Sequence, residues 1–188
     1  MKVLLLAIAA LVFLTSVGYS QSGGRVELYP DTQMSSCSLV DNAPAVVEVH
    51  MFHTNIREAT AIQFAAPIPA CWVGAVWLGD VIVVGLPTGD TQNEFFGISI
   101  GYMTCLQLPV YIGYMNFFTA GAAQTCCIYT AVGATGAPSG QIEVIDCGVH
   151  KLYAVGGELV INPDQTCPCE FPIPVRTNTW GAVKALYR

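Results

Sequence analysis

Residues 97–118, GISIGYMTCLQLPVYIGYMNFF, decide the fold class. In residues 97–103, isoleucine and tyrosine alternate with glycine and serine, which is the two-residue period of a strand with one buried face. In residues 110–118, apolar side chains occupy both alternating sets, which predicts a central strand covered on both sides. Neither part has the 3.6-residue period of an amphipathic helix. We therefore expect two strands of an all-β protein.

Similar short runs, rich in β-branched and aromatic residues, recur along the chain between Gly, Pro, Asn and Asp residues. Between the last two runs, Gly156-Gly157 predicts a β-hairpin, because a type I′ turn needs positive φ at both of its central positions. About ten strands at this spacing predict one antiparallel β-sandwich over residues 25–169, immunoglobulin-like or jelly-roll-like. The other predicted strands are residues 25–29, 45–53, 59–65, 81–84, 126–132, 141–147, 151–155 and 158–162.

The N-terminus has the pattern of a secretory signal peptide over residues 1–20. Lys2 precedes a 12-residue apolar run, and small residues stand at Gly18 and Ser20, before the expected cut. The run is short of the roughly 20 residues that span a bilayer. We therefore expect a secreted chain, extracellular or periplasmic, with no membrane span after cleavage.

Cysteine usage agrees with an oxidising compartment, where cysteines pair as disulfides. The pairing stays open, because eight cysteines allow on the order of a hundred combinations. One constraint follows from strand geometry: adjacent Cys126 and Cys127 point to opposite faces and should bond to different partners. The eight predicted half-cystines are Cys37, Cys71, Cys105, Cys126, Cys127, Cys147, Cys167 and Cys169.

Composition narrows the function classes. The chain of 188 residues is 53% hydrophobic and 11% charged, with a net charge of −6, so it is neither a disordered chain nor a charged helical bundle. The acidic balance argues against nucleic acid as a partner. Its apolar content exceeds what the interior of one sandwich needs, which predicts apolar surface buried against another protein or a second copy.

The C-terminal extension, residues 170–188, has a different character. Residues 172–174, Pro-Ile-Pro, form an extended tether, and Thr179 is placed to cap a short helix. Three apolar side chains would share one face of that helix, which makes the extension either a docking segment or a free end. These candidate docking residues are Trp180, Val183 and Tyr187.

Three stretches carry a family resemblance: residues 139–147 (SGQIEVIDC), 156–169 (GGELVINPDQTCPC) and 179–188 (TWGAVKALYR). With the GISIGY segment and the Cys105 that follows it, they resemble uncharacterised secreted proteins predicted from environmental bacterial genomes. The resemblance implies a bacterial, secreted β-sandwich over most of the mature chain. It supplies no activity, cofactor, ligand or site residue.

The function that these features favour is a non-enzymatic role in binding, adhesion or assembly. A carbohydrate-binding module is the first alternative, because Trp72 and Trp77 are candidates for stacking on sugar rings, although rings on strands are more often part of a core. A protein or a polysaccharide is thus the expected extracellular partner.

The second alternative is a serine hydrolase. Residues 97–101 match the G-x-S-x-G pattern of a nucleophile elbow, and Ser99, Asp146 and His150 follow in triad order. The context argues against it, because the elbow joins a strand to a helix, whereas Ser99 lies inside an alternating strand. His50 and His53 are three residues apart on one predicted strand, so they leave opposite faces, and we expect surface histidines and no metal site.

Overall fold

The computed structural model describes residues 22–169, which contain twelve β-strands and no α-helix. No helix in this range is thus long and apolar enough to cross a membrane. The predicted signal peptide (1–20) and C-terminal extension (170–188), with Trp180, Val183 and Tyr187, lie outside the described residues. The strands are β1 (Arg25–Tyr29), β2 (Ser38–Leu39), β3 (Pro44–Thr54), β4 (Glu58–Phe64), β5 (Val76–Ile82), β6 (Leu86–Gly89), β7 (Ile98–Gln107), β8 (Val110–Ala120), β9 (Cys127–Thr130), β10 (Ile142–Ile145), β11 (Lys151–Gly156) and β12 (Glu158–Ile161).

Nine strands form one large sheet, in the order β5-β8-β3-β1-β11-β10-β4-β7-β6, and three form a small sheet, β2-β12-β9. β1 pairs with β3 over its whole length but meets β11 at only two positions, Arg25–Val155 and Val26–Gly156. This short junction divides the large sheet into a front layer (β5-β8-β3-β1) and a back layer (β11-β10-β4-β7-β6). The two layers face each other, because His53 of β3 hydrogen-bonds Tyr102 of β7 across the core, at 3.0 Å.

Alternate residues of both layers fill a single core. The small sheet adds Tyr129, Leu159 and Ile161 to it. Full burial of one such side chain contributes roughly 1.5–3 kcal/mol, so this core is the main source of stability. The largest inward side chains are Leu28, Met51, Ile112, Met115 and Phe117 from the front layer, and Ile62, Phe64, Ile98, Ile100 and Ile142 from the back layer. The predicted all-β sandwich is confirmed.

Each predicted run overlaps a strand, but the run 81–84 meets only the last two residues of β5, which begins at Val76. Two further strands, β2 and β6, are present. β2 is only two residues long and β6 contains Pro87, so neither has the pattern of a strand in the sequence. The prediction that residues 110–118 are covered on both sides is wrong. Phe118 is 43% exposed, because nothing in the described residues covers the outer side of β8 at that end.

The predicted hairpin at Gly156-Gly157 is also wrong. β11 pairs with β10 and β1 in the large sheet, whereas β12 pairs with β9 and β2 in the small sheet. Neither glycine has positive φ. A Cβ on Gly156 would overlap the carbonyl oxygen of Ala131, and one on Gly157 would overlap the Glu27 carboxylate. The glycines are needed where the chain passes between two close backbones on its way from one sheet to the other.

Four disulfides connect loops and strand ends: Cys37–Cys169, Cys71–Cys127, Cys105–Cys147 and Cys126–Cys167. Adjacent Cys126 and Cys127 have different partners, as predicted. Cys127 lies in the core, whereas Cys126 precedes β9 with a left-handed backbone (φ 59°) that turns its side chain toward the loop of Cys167. A bridge that closes a loop typically contributes about 2–4 kcal/mol.

Gly156→Ala should lower the free energy of unfolding by about 1–3 kcal/mol, because the new methyl group meets fixed backbone rather than a movable side chain. Urea unfolding followed by tryptophan fluorescence measures the change. Gly101→Ala is the matched control, since a Cβ on Gly101 has no atom within 4 Å. Equal stability of the two variants would contradict the account of this passage.

Candidate functional site

The outward side chains of β1, β3, β8 and β5 form what we call the outer face. Strand pairing arranges them in cross-strand rows, because residues opposite each other on neighbouring strands lie side by side. Apolar and aromatic side chains predominate in these rows. From the covered end to the open end they are Phe52–Tyr111, then Tyr29–His50–Tyr114–Val81, then Glu48–Asn116–Gly79, and last Val46–Phe118–Val76.

The open end of the outer face is apolar and solvent-exposed. Val46, Phe118 and Val76 are exposed by 64%, 43% and 54%. Leu78, the residue that the bulge inserts into β5, is 56% exposed, and Val81 is 38% exposed. Val46, Phe118 and Val76 adjoin across three strands, and Leu78 and Val81 lie on either side of Gly79 along β5. Adjoining exposed apolar residues are typical of interaction sites rather than of ordinary surface. We call these five residues the apolar row.

The other end of the outer face is covered. Tyr29, Phe52 and Cys37 are buried there, and Tyr111 and Cys169 pack against them. The rings of Tyr29 and Phe52 meet edge to face at 5.7 Å. The Cys37–Cys169 disulfide therefore fixes two chain segments over this aromatic cluster, and the outer face is exposed only beyond it.

His50 lies between the two ends and is almost completely buried. Its Nδ1 is 2.8 Å from the Tyr111 hydroxyl, and its Nε2 is 3.6 Å from the Glu48 carboxylate. Burial lowers the pKa of His50, and the Glu48 charge opposes that shift only in part. A neutral imidazole thus packs among the aromatic rings of the outer face.

His53 points inward, opposite to His50, and is fully buried. Its Nε2–H donates to the carbonyl of Gly23 at 2.9 Å, so Nδ1 accepts from the Tyr102 hydroxyl at 3.0 Å. Burial lowers the pKa of His53 and raises that of Tyr102. The expectation of surface histidines is wrong for both, because β3 is an interior strand whose two sides are both covered at this end.

The two tryptophans do not form a shared platform. Trp72 is 2% exposed, donates its indole N–H to Asp41 at 3.0 Å and packs on Phe117, so neither side of its ring is open to a sugar. Trp77 is partly buried against the core, and its indole N–H donates to Asp80 at 3.0 Å. Both rings belong to the interior or its margin.

Ser99 is the second residue of β7, paired with Gln63 of β4 and Thr88 of β6. The described histidines all have other partners; His150, for example, is bound to Asp146 of its own turn, 3.0 Å away. Ser99 therefore has no hydrogen-bonded base among the described residues, and the strand does not lead into a helix.

The outward side of the back layer provides a contrast. There the row Tyr153–Glu143–Gln63–Ser99–Thr88 is mostly polar. Lys151 pairs with Glu143 at 2.8 Å. Tyr153 and Val155 are 45% and 56% exposed on this side, which is close to the exposure of Phe118 and Val76. Substitutions at Tyr153 and Val155 can therefore serve as controls for substitutions at Phe118 and Val76.

Electrostatically, the described residues are strongly acidic. Residues 22–169 hold three basic and twelve acidic side chains, a net charge of −9. Arg25 and Lys151 are paired with Glu27 and Glu143. Glu48, half-exposed within the outer face, has only the buried His50 beside it.

Comparison with protein-family models and with curated proteins finds no match. Solved structures do match. The cohesin module from a family 33 glycoside hydrolase of Clostridium perfringens has a TM-score of 0.50 and 7% identity, over 76% of this chain and 99% of that one. The cohesin CaCohA2 of Clostridium acetobutylicum gives 0.41 and 13%, over 76% and 94%. The sixth cohesin of scaffoldin B from Acetivibrio cellulolyticus, in complex with Cel5 dockerin, gives 0.38 and 11%, over 76% and 100%. At these identities the first likeness shows a shared β-sandwich fold.

Stability should fall with pH below about 6.5, the pKa of histidine in an unfolded chain. His50 and His53 have lowered pKa values in the folded protein, so the unfolded state takes up their protons first. Their contribution is complete above pH 6.5 and is lost as the pH falls through their folded pKa values. For each histidine, the free energy of unfolding changes by at most about 1.4 kcal/mol per pH unit.

Urea unfolding between about pH 8 and about pH 5 measures this slope, above the range where Asp carboxylates titrate. His53→Gln should reduce it, because the substitution removes one of the two buried histidines. A wild-type stability that is constant over this range would show that the two histidines are not held neutral.

A fluorophosphonate probe should not label Ser99 in the folded, oxidised protein, because no described base activates its hydroxyl. Mass spectrometry of the tryptic peptide that contains Ser99 checks this. Stoichiometric labelling that is lost in Ser99→Ala would restore the hydrolase alternative.

Proposed function

We propose that this chain is a non-enzymatic extracellular domain of a bacterial protein and that it binds another protein through its outer face. The apolar row carries the proposal. Val46, Phe118 and Val76 stand side by side on three paired strands, and Leu78 and Val81 extend the surface along β5. The sandwich is the scaffold that holds these side chains in one plane.

Burial of this surface would supply the binding energy. Apolar area removed from water contributes about 25 cal/mol per Å², and an exposed phenylalanine among three valines and a leucine is a concentrated source of such area. The face is also rigid, since β3 and β8 pair along ten residues. A preformed surface loses little conformational entropy when it binds.

The charge of the domain indicates the chemistry of the partner. Glu48 is the carboxylate next to the apolar row, and the described residues as a whole carry a net charge of −9. A partner with apolar side chains flanked by Lys or Arg would complement both the apolar row and the acidic charge around it. Attraction between the opposite charges would also increase the association rate. The four disulfides support an oxidising, extracellular location.

The carbohydrate-binding alternative has less support than the protein-binding one. Trp72 is a core residue and Trp77 holds Asp80, so a sugar would have to stack on Tyr114 or Phe118 instead. Most of the exposed side chains around these rings are valines, and Glu48 and Asn116 are the two polar side chains in the row between them. The outer face therefore fits an apolar protein surface better than a glycan.

The partner can be captured by replacing Phe118 with the photo-crosslinker p-benzoylphenylalanine, in the extracellular fraction of the producing organism. The same substitution at Tyr153, which has similar exposure on the back layer, is the control. We expect one protein to be crosslinked from position 118 and not from position 153.

The captured protein, once purified, should bind Val76→Asp at least about tenfold more weakly than wild type, because a charge in the contact costs more than about 1.4 kcal/mol. Val155→Asp, at a valine of similar exposure on β11, should bind like wild type. Isothermal titration calorimetry measures both. Equal binding by the two variants, or crosslinking from both positions, would refute the proposed function.

A further inference from the structure

The chain leaves the described structure on the outer face itself. Cys169, the last described residue, is bonded to Cys37 and packs against the cluster of Tyr29, Phe52 and Tyr111. That cluster is the covered end of the same face whose open end is the apolar row. The residues that follow Cys169 therefore start at one end of this face, and the exposed apolar row lies at the other end.

The geometry allows these residues to reach the apolar row. From the Phe52 row to the Val46 row is six residues along β3, or about 20 Å. The 11 residues from Cys169 to Trp180 can extend over roughly 36–40 Å. Trp180 can thus lie over Phe118 with slack in the connection.

The chemistry of the two parts is complementary. Residues 170–188 hold three basic side chains and one acidic side chain, a net charge of +2, against −9 for residues 22–169. Their apolar side chains include Trp180, Val183 and Tyr187, which match an apolar surface. Lys184 and Arg188 are the basic groups closest to them in sequence, and Glu48 is the carboxylate beside the apolar row.

We propose that residues 170–188 lie across the outer face of their own domain and compete with the partner for the apolar row. The inference rests on the proposed function where it names that face as the partner's site. A tethered segment has an effective concentration in the millimolar range, so even a weak contact keeps the face mostly covered. The partner binds only the uncovered fraction, which weakens its apparent affinity in proportion.

The contact itself is tested without any partner. p-Benzoylphenylalanine at position 118 of the full mature chain is irradiated in a mixture of isotopically light and heavy protein. Mass spectrometry should find position 118 joined to a peptide from residues 170–188, in light–light and heavy–heavy pairs only. The same probe at position 153 should give no such product.

Two results would overturn the inference. Light–heavy pairs would mean that the segment covers a second copy instead of its own domain. Absence of any crosslink to residues 170–188 would mean that the face is open. Val183→Asp, which puts a carboxylate next to an acidic domain, should abolish the crosslink, whereas Thr177→Ala, outside the apolar set, should leave it intact.

Competition is tested with the purified partner. Val183→Asp should bind the partner about tenfold more tightly than wild type if the face is uncovered about one-tenth of the time. Unchanged affinity together with absent crosslinks would refute the inference and leave the proposed function standing. Crosslinks within the chain without any partner at position 118 would confirm that residues 170–188 cover the face, and would refute both the proposed function and the competition that rests on it.

Discussion

The pairing of β3 with β8 is the constraint on which the other features depend. Side chains alternate across a strand, so a shift of one residue in this register would send Val49 and Met51 outward and bring Val46 and His50 into the core. A bulge between Met51 and Phe52 corrects the alternation, so that Ile112 and Met115 both face inward while Tyr111 and Tyr114 both face outward. Gly113 permits the bulge, because at φ 145° a Cβ would overlap the carbonyl of Val81.

Core and outer face are thus two consequences of a single register. The inward set gives the hydrophobic interior, and the outward set gives a surface that is aromatic and covered at one end, apolar and open at the other. The Cys37–Cys169 disulfide divides the two ends, because it fixes two segments over Tyr29 and Phe52 and leaves Phe118 in solvent. The outward row of the back layer is mostly polar by contrast, although exposed apolar side chains also occur elsewhere in the described residues, for example at Phe95, Phe96 and Met103.

Local patterns in the sequence were sufficient for most of the strands and insufficient for their partners. Residues 25–29 were predicted with the bounds that β1 has, because alternation and the following Pro30 are local signals. Gly156-Gly157 was misassigned, since the same dipeptide serves a tight turn and a passage between close backbones, and only the positions of Ala131 and Glu27 distinguish the two. The burial of His50 and His53 was missed for the same reason. The excess of apolar residues indicates exposed apolar surface, but the place where such residues adjoin required the order of strands β5, β8 and β3.

Solvent paramagnetic relaxation of valine methyl groups tests the central claim, that one register both builds the core and presents a covered docking surface. In the mature chain we expect slow relaxation for Val46, Val76 and the core residue Val49, and fast relaxation for Val155. With Val183→Asp, Val46 and Val76 should relax as fast as Val155, while Val49 stays slow. Fast relaxation of Val49 would contradict the register, and identical rates for Val76 and Val155 in both chains would contradict the covered surface.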